Sequence, residues 1–293
     1  MLRRPSLPVL AACAGQTIWG FSYLFIRVAL RYAQPDVMLA MRFVLAFLLI
    51  NIPLLTGRQK ISLKGKPLKP LVLFAIAEPL YFLAESYAVL YTNSTFTGVM
   101  LAVSPIGSIA LAALLLREFP SKRQLLFCLL PITGVILITL SGSSLGIVTP
   151  KGAFFLAATC LVSASMRTLN RLSAQSYTSF ERTYFIMLSG AVVFFVIALV
   201  RFRDQPQVLT EPLSHPLFLL AILVLSVFCS VAANLLVNYA AGNMPVATYS
   251  SFSTITTVCS TFSGVLFLHE PLTLASLAGA ILIIVGIHQV LKS

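Results

Sequence analysis

The sequence predicts an all-α membrane protein: ten transmembrane helices in two five-helix repeats of inverted topology. Three observations predict it. Of 293 residues, 58% are hydrophobic and only 10% charged, with a mean hydropathy of +0.96, whereas soluble domains carry about 25% charged residues. Turn signals and charges divide the chain into ten apolar stretches, and a spanning helix needs roughly 20 mostly apolar residues. Finally, the two halves match each other at constant offsets.

The spans read 8–30, 36–56, 69–91, 95–117, 122–141, 151–172, 178–200, 215–240, 245–268 and 273–291, with ends good to about 2–4 residues. "MLRRPSLPVL" runs straight into the first apolar stretch with no small-residue cleavage site, so it opens a helix rather than a removed leader. The connections are short, and no segment could form a soluble domain. The whole chain, 1–293, reads as one membrane domain with repeats at 1–145 and 146–293.

Ten spans put both termini on one side. With the N-terminus cytoplasmic, most of the twenty Lys and Arg lie at cytoplasmic ends or loops: Arg3, Arg4, Arg58, Lys60, Lys64, Lys66, Lys69, Arg117, Lys122, Arg123, Arg167, Arg171, Arg182 and Lys292. The positive-inside rule therefore places both termini in the cytoplasm and the chain in the cytoplasmic membrane. The net charge of +12 sits in short segments between apolar runs, without a basic stripe interleaved with aromatics, which excludes nucleic acid as a partner. Cys13, Cys128, Cys160, Cys229 and Cys259 are scattered singly, so neither a metal nor any other cofactor is expected.

The repeat shows in "RVALR" (27–31) followed by Arg42, which matches "RTLNR" (167–171) followed by Arg182 at an offset of 140. Tyr87 and Tyr239, Glu118 and Glu270, Ser121 and Thr273, and Gly134 and Gly286 match at 152, the longer 201–214 connection accounting for the change. Five spans per repeat is an odd number, so the second copy enters the membrane upside down, an architecture of many secondary transporters.

"REFPS" and "HEPLT" each close a polar-lined span and precede a glycine-containing last helix, "ITGVILI" and "LAGAILIIVGI". With ten spans in two halves, the chain resembles EamA-type members of the drug/metabolite transporter superfamily. The resemblance covers nearly the whole chain. It implies a secondary transporter of amino acids, other metabolites, organic cations or drugs, usually an exporter, with protons the common coupling ion and some members uncoupled facilitators.

The candidate site centres on "AEPLYFLAES" (77–86). Glu78 lies near the middle of the third span with no evident basic partner at its depth. A carboxylate there can hold a proton, attract a substrate ammonium, exchange one for the other, or serve as a protonated interhelical contact. Pro79 lacks an N–H and frees the carbonyl of Ala75, one turn earlier, making it a hinge candidate; Pro105, near the middle of the fourth span, is another. Glu85 and Arg42 lie at matching depth on consecutive antiparallel spans and are expected to pair, as a gate or as structure. Arg182 has no such partner, because Val237 stands where Glu85 would be.

Trp19, the only tryptophan, sits mid-span beside Gln16, Thr17, Ser22 and Tyr23, where it reads as a cavity wall or as packing. With Tyr81 and Phe82 it could box an ammonium or an aromatic ring. Asn234, Asn238, Tyr249 and "TYSSFSTITTVCSTFSG" extend the polar lining, and Glu118 and Glu270 read as structural, with Ser121 and Thr273 as caps and Gln124 in capping-box position.

These residues point to a secondary transporter that exports a small amphipathic metabolite of the amino-acid or organic-amine class by alternating access, with protons as the candidate coupling ion and antiport as the mode. The alternatives are an uncoupled facilitator or an importer. The chain has no P-loop, so ATP drive within it is excluded. An enzyme is not expected: there is no HExxH or GxSxG, and His215, His269 and His288 lie at loops or span ends. The partners are the lipid bilayer, a small-molecule substrate and protons. Cysteines placed at 92–94 should label from outside and those at 64–66 only after permeabilisation; the opposite pattern overturns the orientation.

Overall fold

A computed structural model describes residues 6–91, 104–142, 150–268 and 274–292; side chains of some helical residues, Tyr23 and Arg27 among them, lie outside the description. So do Thr92 to Ser94, Glu270 and Thr273. Helix accounts for nearly all of the regular structure: α1 (Leu7–Ala29), α2 (Pro35–Ile50), α3 (Ile52–Leu55), α4 (Leu68–Tyr91), α5 (Ser104–Leu116), α6 (Lys122–Gly142), α7 (Pro150–Ser173), α8 (Ser179–Arg201), α9 (Gln207–Thr210), α10 (Pro216–Asn243), α11 (Val246–Phe252), α12 (Ile255–Leu268) and α13 (Leu274–Lys292).

Each of the ten expected stretches contains helix. Among the described residues, five helical stretches are long and apolar enough to cross a membrane: Leu7–Ile26, Pro35–Leu55, Pro150–Ser173, Ser179–Arg201 and Pro216–Asn243. Several start at proline, whose missing N–H is unbonded in a first turn anyway. The predicted cap at Ser121 is present as a reciprocal box: Ser121 N–H donates to Gln124 Oε1 (3.0 Å) and Gln124 N–H to Ser121 Oγ (3.1 Å). A second box, unforeseen, joins Thr178 and Glu181 at the start of α8.

Three spans are less regular than expected. The second breaks at Asn51, whose side-chain amide donates back to the Phe47 carbonyl (2.6 Å), just before Pro53. The eighth carries a π-helical segment, Leu225–Ala232, inside α10. The ninth divides at Ser253 and Thr254, whose hydroxyls donate to the carbonyls of Ser250 and Ser251 (both 2.7 Å) and compete with the helical ladder.

The helices pair in a pattern that maps onto itself when the halves are exchanged. α6 packs on α13 and α2 on α8; α4 packs on α7 and α8 as α10 packs on α1 and α2; and α7 packs on α5 as α1 does on α12. The matched glycines explain the α6–α13 contact. A Cβ on Gly134 would come within 2.5 Å of the Gly279 carbonyl oxygen, and one on Gly286 within 2.3 Å of Pro131 Cδ. Small residues let helix backbones approach where lipid supplies no hydrophobic drive for association.

Polar side chains such as Gln16, Arg42, Glu78, Asn170, Ser230 and Asn238 are buried, while Leu114, Leu126, Leu161 and Val200 are exposed, the arrangement a hydrocarbon solvent selects. The chain is a multi-pass membrane protein. Its ends are tied by charge. Lys66 bridges Glu181 (2.9 Å) and Arg171 bridges Glu118 (2.8 Å) at one end, where Tyr177 also donates to the Pro67 carbonyl; at the other Arg201 pairs with Asp36 and the Tyr32 and His215 rings meet. All these contacts join segments that the sequence assigns to the same side.

Gly286→Leu is expected to destabilise the bundle by about 1–3 kcal/mol through overpacking against Pro131. Thermal unfolding of the purified protein checks this, and an unchanged midpoint would contradict the close approach.

Candidate transport site

The central helices line a cavity of about 370 Å³. α1 contributes Gln16, Trp19 and Ser22; α2 contributes Arg42; α4 contributes Glu78, Tyr81, Phe82 and Glu85. From the second half come Arg167 and Asn170 of α7, Asn234 and Asn238 of α10, and Tyr249 and Ser253 around the break between α11 and α12. Thus every residue expected to bind substrate lies on one cavity. Pro105 lines it too, whereas Pro79 is buried inside α4.

Helical spacing puts Glu78, Tyr81, Phe82 and Glu85 on one face of α4. Pro79 opens the backbone beside them as expected, and the Ser189 hydroxyl of α8 donates to the freed Ala75 carbonyl. The polar group that proline releases is thus satisfied by protein. Pro105 falls in the first turn of α5 as described, not mid-helix, and the residues before Ser104 lie outside the description.

Glu78 is buried, lines the cavity and receives no hydrogen bond among the described residues; the charge that acts on it most directly is that of Arg42. Glu85 accepts from the Tyr81 hydroxyl at 2.8 Å. The expected Arg42–Glu85 ion pair is not formed. Arg42 Nε donates to Ser230 Oγ (2.8 Å), and its guanidinium lies 5.9 Å from the Phe82 ring centroid. The reason is packing: α2 lies chiefly on α8 and on the π-helical part of α10, so sequence-adjacent α4 is not its main neighbour.

The aromatic residues have work besides enclosing a ligand. Trp19 Nε1 donates to the Cys229 carbonyl within the π-helical segment (2.8 Å), which fixes the indole against the cavity. Phe82 packs against Phe43 and Phe194 and presents its face to Arg42. Asn234 is held by the Ser230 carbonyl (2.8 Å). The Tyr23 side chain, Ser260 and Thr261 lie outside the description of side chains.

Arg182 has no carboxylate partner among the described residues, as expected. It donates to the Asn170 carbonyl and side chain and to the Asn238 carbonyl, while Asn170 and Asn238 bond each other and Asn238 reaches Thr183. Arg167, read from the sequence as a charge at a cytoplasmic end, instead lines the cavity. It sits six residues before the end of α7, about 9 Å along the axis. That depth is the sequence signal that sets Arg167 apart from the terminal Arg171 of "RTLNR".

Glu118 is structural, as read. Arg117, at a φ of 55°, turns the chain after α5; Glu118 Oε1 then meets Arg171 (2.8 Å) and Oε2 accepts the first N–H of α11, from Val246 (2.9 Å).

A cavity this size holds one small molecule, and its walls offer carboxylates, guanidinium groups, hydroxyls and aromatic faces. Known proteins agree with the architecture. A solved crystal structure superposes with a TM-score of 0.77 at 17% identity, covering 96% of this chain and 95% of that one, which shows the shared fold. An uncharacterized transporter of Bacillus subtilis (strain 168), YcxC, is 32% identical over 98% of this chain and 94% of its own length. Another from Archaeoglobus fulgidus is 23% identical over 94% and 95%, respectively. The model of the EamA-like transporter family matches twice, at residues 6–140 and 150–291. With both repeats and a relative at this identity, the chain belongs to the EamA-like transporter family.

Proposed function

We propose that the protein is a secondary transporter that exports a small amphipathic metabolite of the amino-acid or organic-amine class across the cytoplasmic membrane. On this reading the two repeats have inverted topology, both termini are cytoplasmic, and the halves alternate access to the central cavity. The symmetric helix pairing supports the inverted arrangement, and the sidedness of the ion pairs supports the topology.

The observation that carries the proposal is Glu78. A carboxylate near the middle of a spanning helix is costly, and protein normally meets it with a hydrogen bond or a close ion pair. Here it faces the cavity without a protein hydrogen bond among the described residues. On this reading it takes a proton on one side of the membrane and yields it on the other, or exchanges it for a substrate ammonium. Antiport follows if the two compete for the same oxygens.

Comparing metabolites in the medium of cells expressing the wild type or an empty vector identifies what is exported. In proteoliposomes, Glu78→Gln, which is permanently neutral, is expected to retain substrate exchange and lose accumulation driven by a pH gradient. If Glu78 instead holds the ammonium, the variant binds at least tenfold more weakly, a loss of about 1.4 kcal/mol. A variant that accumulates substrate like the parent overturns the role of Glu78, and no metabolite difference in the medium overturns export.

A further inference from the structure

The transport reading assigns the carboxylate pole of the cavity but leaves Arg167 unused. Its guanidinium meets only hydroxyls: Nη1 donates to Ser104 (2.9 Å), Ser163 (3.2 Å) and Ser108 (3.3 Å), and Nη2 to Ser253 (3.5 Å). Among the described residues it forms no ion pair. Neutral oxygens satisfy N–H groups but leave a full positive charge in a low-dielectric setting, where such a charge ordinarily finds an anion.

The serines are arranged unequally. Ser108 donates its own proton to the Ser104 carbonyl, and Ser253 donates to the Ser250 carbonyl. Ser104 Oγ accepts from Arg167 and from Ser163 and donates to no described residue. Ser104 is buried and is not part of the cavity lining, whereas Ser163 and Ser253 line the cavity with Arg167. The cavity lining thus carries a cationic group at Arg167, flanked by Ser163 and Ser253, and carboxyl groups at Glu78 and Glu85, with the charge of Arg42 acting on Glu78. The charges of Arg167 and Glu78 both bear on Tyr249, which lines the cavity with them, as does that of Arg182.

We infer that Arg167 binds the carboxylate of the transported molecule, and that the substrate is a zwitterion of the amino-acid class whose ammonium faces the glutamates. A planar guanidinium matches a carboxylate. Two acids in so small a cavity disfavour a multiply charged anion, and an Arg167 with no acidic partner among the described residues disfavours an amine without a carboxylate. The inference rests on the transport reading above and narrows it to one of the two substrate classes.

The test uses the purified full-length protein in nanodiscs and reads thermal stabilisation, since a ligand that binds the folded state raises its melting temperature. The probes are the twenty L-amino acids; for each that stabilises, the decarboxylated amine and the N-acetylated acid; and putrescine, spermidine and inorganic phosphate. At least one amino acid is expected to stabilise the wild type, with both of its single-charge analogues at least tenfold weaker. Arg167→Gln should weaken amino-acid binding at least tenfold, and Arg167→Lys should restore part of it.

Amines that bind as well as their parent amino acids overturn the carboxylate subsite, as does binding unchanged in Arg167→Gln. Stabilisation by phosphate alone, or by no amino acid, overturns the zwitterion. If Arg167→Gln does not fold, the wild-type comparison of matched ligands decides. Export of a plain amine, detected in the medium, sinks this inference while leaving the transport reading intact; absence of any exported metabolite sinks the latter.

Discussion

A charge inside a bilayer must be met by protein, because hydrocarbon offers it nothing. Much of the architecture follows from that demand. Arg42 reaches Ser230 across the α2–α10 contact, Arg182 reaches Asn170 and Asn238 across α7, α8 and α10, and Arg167 reaches hydroxyls from three segments of the bundle. Each arginine is satisfied largely by residues distant in sequence. Arg42 with Ser230 and Arg167 with Ser104 and Ser108 link the two repeats, whereas the Arg182 cluster lies within the second.

The repeats share helix pairing but differ chemically. Arg42 and Arg182 occupy matching places, yet one meets a serine and an aromatic face and the other a cage of amides and carbonyls. Exchange of the halves preserves backbone contacts while side chains diverge. Glu85 has Val237 as its counterpart, so both cavity carboxylates come from α4. Their opposite pole comes mainly from α7. Since α4 and α7 are neighbours, the charge separation across the cavity spans the boundary between the repeats.

Irregular backbone is concentrated around the same cavity. Pro79 interrupts α4, the π-helical segment interrupts α10, and serine and threonine hydroxyls divide α11 from α12. Each break is compensated nearby: Ser189 bonds the Ala75 carbonyl and Trp19 bonds that of Cys229. Ser250 is the exception among the described residues, a buried hydroxyl without a partner beside the α11–α12 break. Irregular segments in membrane proteins are tolerated where they line a cavity or are buried in protein, and here they frame the candidate site.

The sequence by itself determined what depends on composition and local order. Hydropathy located the helical stretches, the offsets of 140 and 152 exposed the repeat, and "AEPLYFLAES" marked a polar face because helical periodicity alone aligns Glu78 with Glu85. The Ala75 carbonyl and the Ser121–Gln124 box were legible for the same reason, since their geometry closes within one turn. Partners were not. Matching depth suggested Arg42 with Glu85, but depth is one coordinate of three, and the choice of neighbouring helix sends Arg42 to Ser230 and leaves Glu85 with Tyr81. Arg167 shows the same limit: its position along α7 can be counted, but only the placement of α5, α11 and α12 around it decides that it faces the cavity rather than the membrane surface. Tertiary packing chooses among side chains at equal depth, and that choice brings a set of intramembrane charges onto one cavity.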